Sequence, residues 1–349
     1  MAPQDDSYPG VSYVMPVLNE VDYVAGAVSA ILRQEYPGAQ QLILALGPST
    51  DGTTELVEQL LRDDPRVTFV YNPETHIPVG MNLAVRASEH PIIVRVDAHS
   101  ELSAGYTLRA VQTLQRTGAA NVGGLMNGQG RTPFQSAVAR AYNSKFGLGG
   151  GAYHSGRAEG PAESAYLGVF RREVLLDVGL YDESLRRGED WELNLRIRAA
   201  GHRVWFDPEL TVTYWPRENW RKLARQFFTT GVWRAELVRR YRTKNPWRFF
   251  APPLLVLAVP VAVIVLALQL TGVLSGLLGV IASLVYLAPV AYLLLVVWVS
   301  FVREPGETVR DRLIFLIVLP TMHLSWGAGF LRGILRGGRD TLDTSRSAG

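Results

Sequence analysis

The chain has 349 residues, a formal net charge of +3 and no cysteine. That length exceeds one small domain and suits an α/β domain joined to a second unit. The near balance of charge does not call for a nucleic-acid partner, and the lack of cysteine excludes disulfides, thiolate zinc sites and cysteine nucleophiles together.

The first residues, MAPQDDSYPG, are polar and acidic. No secretory signal is visible there, so the first domain is expected to stay on the side where it is made. VSYVMPV (11–17) reads as a strand and is followed by a helix near Val21 to Gln34. QLILAL (41–46) reads as a second strand, GPSTDGT as a turn, and Thr54 to Arg62 as a helix. VTFVY (67–71) is a third strand, Val79 to Ala87 a helix, and PIIVRVD (91–97) a fourth strand. Strands alternating with helices predict crossover connections and a mostly parallel sheet. Such sheets bind ligands beyond the carboxyl ends of their strands. Those ends carry Pro16 with Asn19 and Glu20, then Ser49 to Thr53, then Asp97 to Ser100.

From Gly118 to Ser164 the chain is glycine-rich and weak in periodicity. GLGGGAYHSGRAEG (147–160), with His154, reads as a loop that either closes over a substrate or serves as a surface linker. AYLGVFRREVLLDVG (165–179) returns to a strand and helix, and HRVWFDP (202–208) to a strand. Between them RGEDWELNLRIR (187–198) opens a helix-like run on two adjacent acids.

Residues 217–248 are basic and aromatic, with Arg221, Lys222, Arg225, Arg239 and Arg240 interleaved with Trp220, Phe227, Phe228, Trp233 and Trp247. This pattern fits an anionic membrane surface, or a solvated basic helix. APPLLVLAVPVAVIVLALQL (251–270) is one bilayer crossing long, and the charge-free run 273–302 can span with tilt. The run 313–335 carries Pro320, His323 and Arg332. Basic residues before the first span and after the second predict one common, cytoplasmic side. Arg332, Arg336 and Arg339 would then lie outside if the third run crossed, so it is either interfacial, re-entrant or against that bias.

Two constellations can carry chemistry. Asp97 and His99, on a turn after a strand, can both reach one cation; oxygen-rich Mg²⁺ sites and the imidazole-tolerant Mn²⁺ are the candidates. The alternative is an aspartate capping a helix that begins near Ala104. Glu189 and Asp190 are either a general base with its neighbour, or acids placed at a helix start by the helix dipole. Phosphate-loop and dinucleotide glycine fingerprints, G-x-S-x-G and H-E-x-x-H are all absent.

The ordered blocks MPVLNE (15–20), STDGT (49–53), RVDAHS (95–100), YLGVFRRE (166–173), GEDWELNLRIRAAG (188–201) and YWPRENWRKLARQFFTTGVWR (214–234) resemble the family 2 inverting glycosyltransferases of GT-A fold. The similarity is greatest to the membrane-bound, succinoglycan-type exopolysaccharide branch. It implies a GT-A domain over 1–215, an amphipathic interface segment over 216–248, a transmembrane region of two to three helices over 249–337, and a polar tail over 338–349. By the same resemblance, Pro16, Asn19, Glu20, Asp51 and Asp97 hold the nucleotide, and Asp97 and His99 a divalent cation, Mg²⁺ or Mn²⁺. Asp190 is the base. Glu189, Gln226, Trp233 and Arg234 contact the acceptor or diphosphate. The partners implied are a nucleotide-sugar donor, a lipid-linked or glycan acceptor and the cell membrane, with the catalytic domain cytoplasmic.

Two departures qualify this pattern. The family's acidic pair before S-T-D-G-T is replaced by Leu46 and Gly47, which leaves the donor's base open. The last element reads Q-F-F-T-T-G-V-W-R rather than Q-x-x-R-W, favouring single-sugar transfer over polymerisation. A polyprenyl-phosphate sugar synthase and an inactive nucleotide-binding membrane component are the alternatives.

Overall fold

The computed structural model describes residues 8–148, 156, 158–241, 249–304 and 306–338. His154, Arg242, Lys244, Trp247, Arg248, Arg339 and most of the polar tail lie outside the described residues. The chain divides into two units: Met1–Gln129 with Gly150–Trp215, and Gly130–Gly149 with Pro216–Gly349.

The strands are β1 (Val11–Val17), β2 (Gln40–Leu46), β3 (Val67–Tyr71), β4 (Ile92–Arg95), β5 (Ser100–Leu102), β6 (Asn121–Gly128), β7 (Gly160–Pro161), β8 (Tyr166–Arg171) and β9 (Val204–Tyr214). The first unit's helices are α1 (Val24–Leu32), α2 (Thr53–Asp63), α3 (Ile77–Ala87), α4 (Tyr106–Thr117), α6 (Arg172–Asp177) and α7 (Glu189–Ala199). In the second are α5 (Pro133–Tyr142), α8 (Trp220–Tyr241), α9 (Ala251–Leu270), α10 (Gly276–Ala282), α11 (Leu287–Trp298) and α12 (Val309–Arg336).

The first unit is one sheet in the order β3-β2-β1-β4-β8-β6-β9-β5, with β7 on β9. The two-residue period of β1 sends Val11, Tyr13, Met15 and Val17 to a layer that includes α1, α2 and α4, and Val14 to a layer that includes α3, α6 and α7. This is an α/β sheet covered on both faces. Its first four strands are parallel, as the alternation of strands and helices predicts. The other half is mixed: β8 runs antiparallel to β4 and β6, and β5 and β7 run antiparallel to β9. The expectation of a mostly parallel sheet therefore holds only for the half built by crossover helices.

Strand β6 and helix α5 fall in the stretch that is weak in periodicity. The strand is NVGGLMNG, and its glycines are there for closeness. A Cβ on Gly124 would overlap the Leu210 carbonyl of β9, and one on Gly123 would sit 2.5 Å from Ala165 Cβ. Both glycines lie where the β6 register shifts, against β8 at Val122/Gly124 and against β9 at Gly123/Leu125. Side-chain periodicity cannot report a strand whose packing depends on missing side chains.

Among the described residues of the second unit, three helical segments are long and apolar enough to cross a membrane: Ala251–Leu270, Gly276–Arg303 and Val309–Arg336. Helix α12 starts on a capping box, with Thr308 Oγ1 accepting from Asp311 N and Asp311 accepting from Thr308 N.

A contrast between two glycines tests the account of β6. Gly124→Ala is expected to lower stability by about 3 kcal/mol or more, because the carbonyl it meets is backbone and cannot turn aside. Gly26→Ala, in α1 with open space at its Cβ, is expected to raise stability by up to ~1 kcal/mol through helix propensity. Thermal unfolding of the detergent-solubilised protein measures both.

Candidate active site

Strand β4 ends on Arg95, paired in register with Val14 of β1. Alternation along IIVR puts Arg95 on the same face as Ile93, the face that packs on α3, α6 and α7. A guanidinium there cannot reach bulk water; only 3% of its side chain is exposed. It must find carboxylates, and it finds three. Arg95 Nη2 lies 3.4 Å from Asp97 Oδ1 and 3.2 Å from Glu189 Oε1, and Nη1 pairs with Asp190 Oδ1. The cation also lies 5.7 Å from the Tyr181 ring centroid.

Helix α7 brings Glu189 and Asp190 to this point. It follows Gly188, whose φ of +79° favours glycine. Its first turn is acidic and its last turn carries Arg196 and Arg198, which suits the helix dipole. The helix is docked by polar bonds as well as by Leu193 and Ile197. Asn194 Oδ1 accepts from Asn121 Nδ2 of β6 at 2.6 Å, while its amide donates to the Asp190 carbonyl at 2.8 Å. Arg196 donates to buried Glu192 and, at 2.6 Å, to the Leu180 carbonyl.

Asp190 differs from its neighbours. Burial raises its carboxyl; Arg95 opposes this, and the charges of Glu189 and Asp97 add to it, leaving it pushed up to about 7. A quarter of its side chain remains exposed, so the group is open to a reactant. A carboxylate with this proton affinity can accept a proton near neutral pH.

Asp97 and His99 lie beyond β4, with Asp97 Oδ2 4.0 Å from His99 Nε2. Two donors at about 2.1 Å from one cation can be at most about 4.2 Å apart, so the pair is within reach of a shared ion. Glu20 Oε1 is 3.3 Å from His99 Nδ1, which orients the ring, and the ring meets Tyr214 edge-on at 5.7 Å. Among the described residues no three His, Asp or Glu side chains close on one point. A cation held here would complete its shell with substrate or water oxygens, as Mg²⁺ commonly does. The capping alternative for Asp97 fails: β5 intervenes, and α4 starts after Gly105 with no side-chain cap.

The loops after β1 and β2 are laced together. Asn19, at φ +53°, donates its N–H to Ser49 Oγ (3.1 Å) and accepts from Thr50 N at 2.8 Å. Glu20 N donates to Thr53 Oγ1 at 2.9 Å. Asp51 accepts from Val21 N (3.2 Å) and Thr53 N (3.0 Å). Although burial would raise it, bonds from the Thr53 hydroxyl and these N–H groups hold its carboxyl below the ordinary range. Asp51 thus shapes the loop. Pro16 is half-buried in β1 beside Ala45.

Gln226, Trp233 and Arg234 belong to α8 of the second unit. Gln226 Oε1 accepts from Tyr142 OH at 3.1 Å, Trp233 is only 1% exposed, and Arg234 lies over the Phe249 ring at 4.9 Å. Sequence reading missed Arg95. Its signal was a lone arginine in an otherwise apolar strand, a position that demands buried counter-charges.

The raised carboxyl has a consequence for stability. An aspartate with a raised folded-state pKa contributes stability that is full below about pH 4 and is lost as the pH rises through about 7. Asp190→Asn cannot ionise and escapes that loss. It is expected to unfold roughly 4 °C or more above the wild type at pH 8, with the gap closing towards pH 4, in paired thermal melts.

Residues 12–179 match the family described as glycosyl transferase family 2. The chain is 32% identical over 324 residues to succinoglycan biosynthesis protein ExoA of Rhizobium meliloti, covering 92% of this chain and 94% of that protein. It is 21% identical to a dolichyl N-acetyl-alpha-D-glucosaminyl phosphate 3-beta-D-2,3-diacetamido-2,3-dideoxy-beta-D-glucuronosyltransferase of Methanococcus voltae, over 94% of this chain and 98% of that one. The fold is similar to that of mannosyltransferase PcManGT of Pyrobaculum calidifontis, solved with GDP-Man and Mn²⁺: the TM-score is 0.61 at 19% identity, covering 95% and 89% of the two chains. With this sheet, this site and these relatives, the chain belongs to the family 2 glycosyltransferases of GT-A fold, related to enzymes of polysaccharide biosynthesis.

Proposed function

We propose that this glycosyltransferase moves one sugar from a nucleotide-diphosphate sugar to a lipid-linked or glycan acceptor, by single displacement with inversion, in exopolysaccharide or cell-envelope glycan biosynthesis. The observation that carries the reading is Asp190, an accessible carboxyl pushed up to about 7 and held on Arg95 beside Asp97. In this scheme Asp190 takes the proton of the acceptor hydroxyl as its oxygen attacks the donor's anomeric carbon, and the nucleotide diphosphate leaves. Arg95 keeps the Asp190 carboxylate in place. Glu189, on the same guanidinium, borders the acceptor.

The laced loops of Asn19, Glu20 and Asp51, with Pro16 and Asp97, hold the nucleotide. Asp97 and His99 fit a divalent cation, Mg²⁺ or Mn²⁺. When bound, it supplies positive charge against the leaving diphosphate. Gln226, Trp233 and Arg234 are assigned to contact with diphosphate or acceptor on the family resemblance. The relative from Methanococcus voltae acts, by its name, on a lipid-linked sugar, which supports a lipid-linked acceptor here.

The catalytic domain, 1–215, is assigned to the cytoplasmic side, with an interface segment over 216–248, membrane helices within 249–337 and a tail over 338–349. The positive residues flanking the apolar spans support that side.

Asp190→Asn is expected to lose transfer by about 10²- to 10⁴-fold while retaining nucleotide binding. Full turnover on a sugar acceptor would remove the base assignment, and full turnover on polyprenyl phosphate alone would favour a synthase of that kind. In the wild type, kcat should rise with pH through about 7 as Asp190 ionises, then level off. A chelator should suppress activity and Mn²⁺ or Mg²⁺ restore it; unchanged rates in metal-free buffer would count against Asp97 and His99. Donor screening with membrane extract as acceptor, read by product mass, identifies the sugar.

A further inference from the structure

Three apolar segments of sufficient length do not make three crossings. We infer that α12 lies in the plane of the membrane, at the face where the first span begins, so that the chain crosses only twice and rests on α12 at the headgroup boundary.

The two spans form a hairpin. Gln269, at the end of α9, donates to the Gly279 carbonyl (2.8 Å) and Ser283 Oγ (2.9 Å), and accepts from Tyr286 OH at 2.7 Å. With that end closed, the start of α9 and the end of the segment Gly276–Arg303 lie on one face. Helix α12 starts shortly afterwards, at Val309, on the same face. A crossing helix would carry Trp326 roughly 26 Å from that start, close to the ~30 Å thickness of the hydrocarbon layer. Trp326 would then lie near the hairpin turn. It lies instead at the entrance of the first span. The Trp326 and Phe249 rings are 6.1 Å apart, and those of Phe330 and Phe250 are 5.9 Å apart. A Cβ on Gly327 would sit 2.6 Å from the Pro252 carbonyl, so the two backbones touch there.

Charge agrees with this course. Arg310 and Arg312 begin α12, and Arg332 and Arg336 end it. In the membrane plane all four stay on one face, whereas a crossing would put two on the far side against the positive-inside tendency. Helix α8 runs along the second half of α12: Gly329 leaves space for the Phe228 carbonyl, and Arg239 Nη1 reaches the Gly333 carbonyl at 3.4 Å. A crossing α12 would drag that helix, with Arg225, Arg239 and Arg240, into or through hydrocarbon, at about 3 kcal/mol for each arginine near the centre. The side of α12 carrying Phe315, Leu319, Met322 and Phe330 is buried, while Leu313, Ile317 and Leu335 are exposed. The exposed apolar residues fit the acyl boundary of a lipid surface.

The absence of native cysteine makes the test direct. Single variants Glu218→Cys, Val273→Cys, Glu307→Cys and Ser347→Cys are expressed in the full chain. Right-side-out and inside-out vesicles are then treated with a membrane-impermeant maleimide. Glu218→Cys, Glu307→Cys and Ser347→Cys should label from one side and Val273→Cys from the other. Labelling of Ser347→Cys together with Val273→Cys would overturn the inference. Protease removal of a C-terminal epitope on the otherwise unaltered chain gives the same answer without substitution: loss from the side that exposes Glu307 supports an in-plane α12, and loss from the opposite side rejects it.

Discussion

A single buried guanidinium organises the candidate site of the first unit. Arg95 meets Asp97, Glu189 and Asp190 from the end of a central strand, and almost none of its side chain reaches water. One cation against three carboxylates leaves excess negative charge. That excess, together with burial, raises Asp190 even though Arg95 pulls the other way. The same contacts fix α7 to β4, so Asp190 and Asp97 are positioned by one side chain. A buried ion cluster of this kind is weak evidence for stability. Its value here lies in placement and in proton affinity.

The helix that carries Asp190 is suited to this arrangement. It has two fully buried apolar residues, Leu193 and Ile197, and is otherwise seated through Asn121, Asn194, Glu192 and Arg196. Polar docking is directional, whereas an apolar face tolerates small slides and rotations. The proposed role of Asp190 as a base would benefit from the stricter constraint.

In the second unit, glycine does the work that polar bonds do in the first. Gly231, Gly327, Gly329 and Gly333 let α8, α9 and α12 approach backbone to backbone. Such small-residue contacts are a common means of holding helices together where lipid tails remove the hydrophobic advantage of larger side chains.

Much of the first unit was legible in the sequence because alternation and turn chemistry are local. Residues 11–17 and 67–71 are strands with the expected bounds, and the polar clusters near Asn19, Ser49 and Asp97 do lie at strand ends. The lengths and apolar character of the first two membrane segments were equally plain, since hydrocarbon thickness sets both. Strand β6 was hidden, because its glycines answer to neighbours distant in sequence. The direction of β8 was hidden because periodicity records burial and not polarity. Arg95 stood in plain view in the fourth strand, but its meaning depends on α7, almost a hundred residues later. By itself the sequence determined the element types, the family's motifs and the apolar lengths, all properties of neighbouring residues. The tertiary structure decided which charges meet, and so how strongly Asp190 holds its proton, because electrostatics in a buried site depends on distance through space and not along the chain.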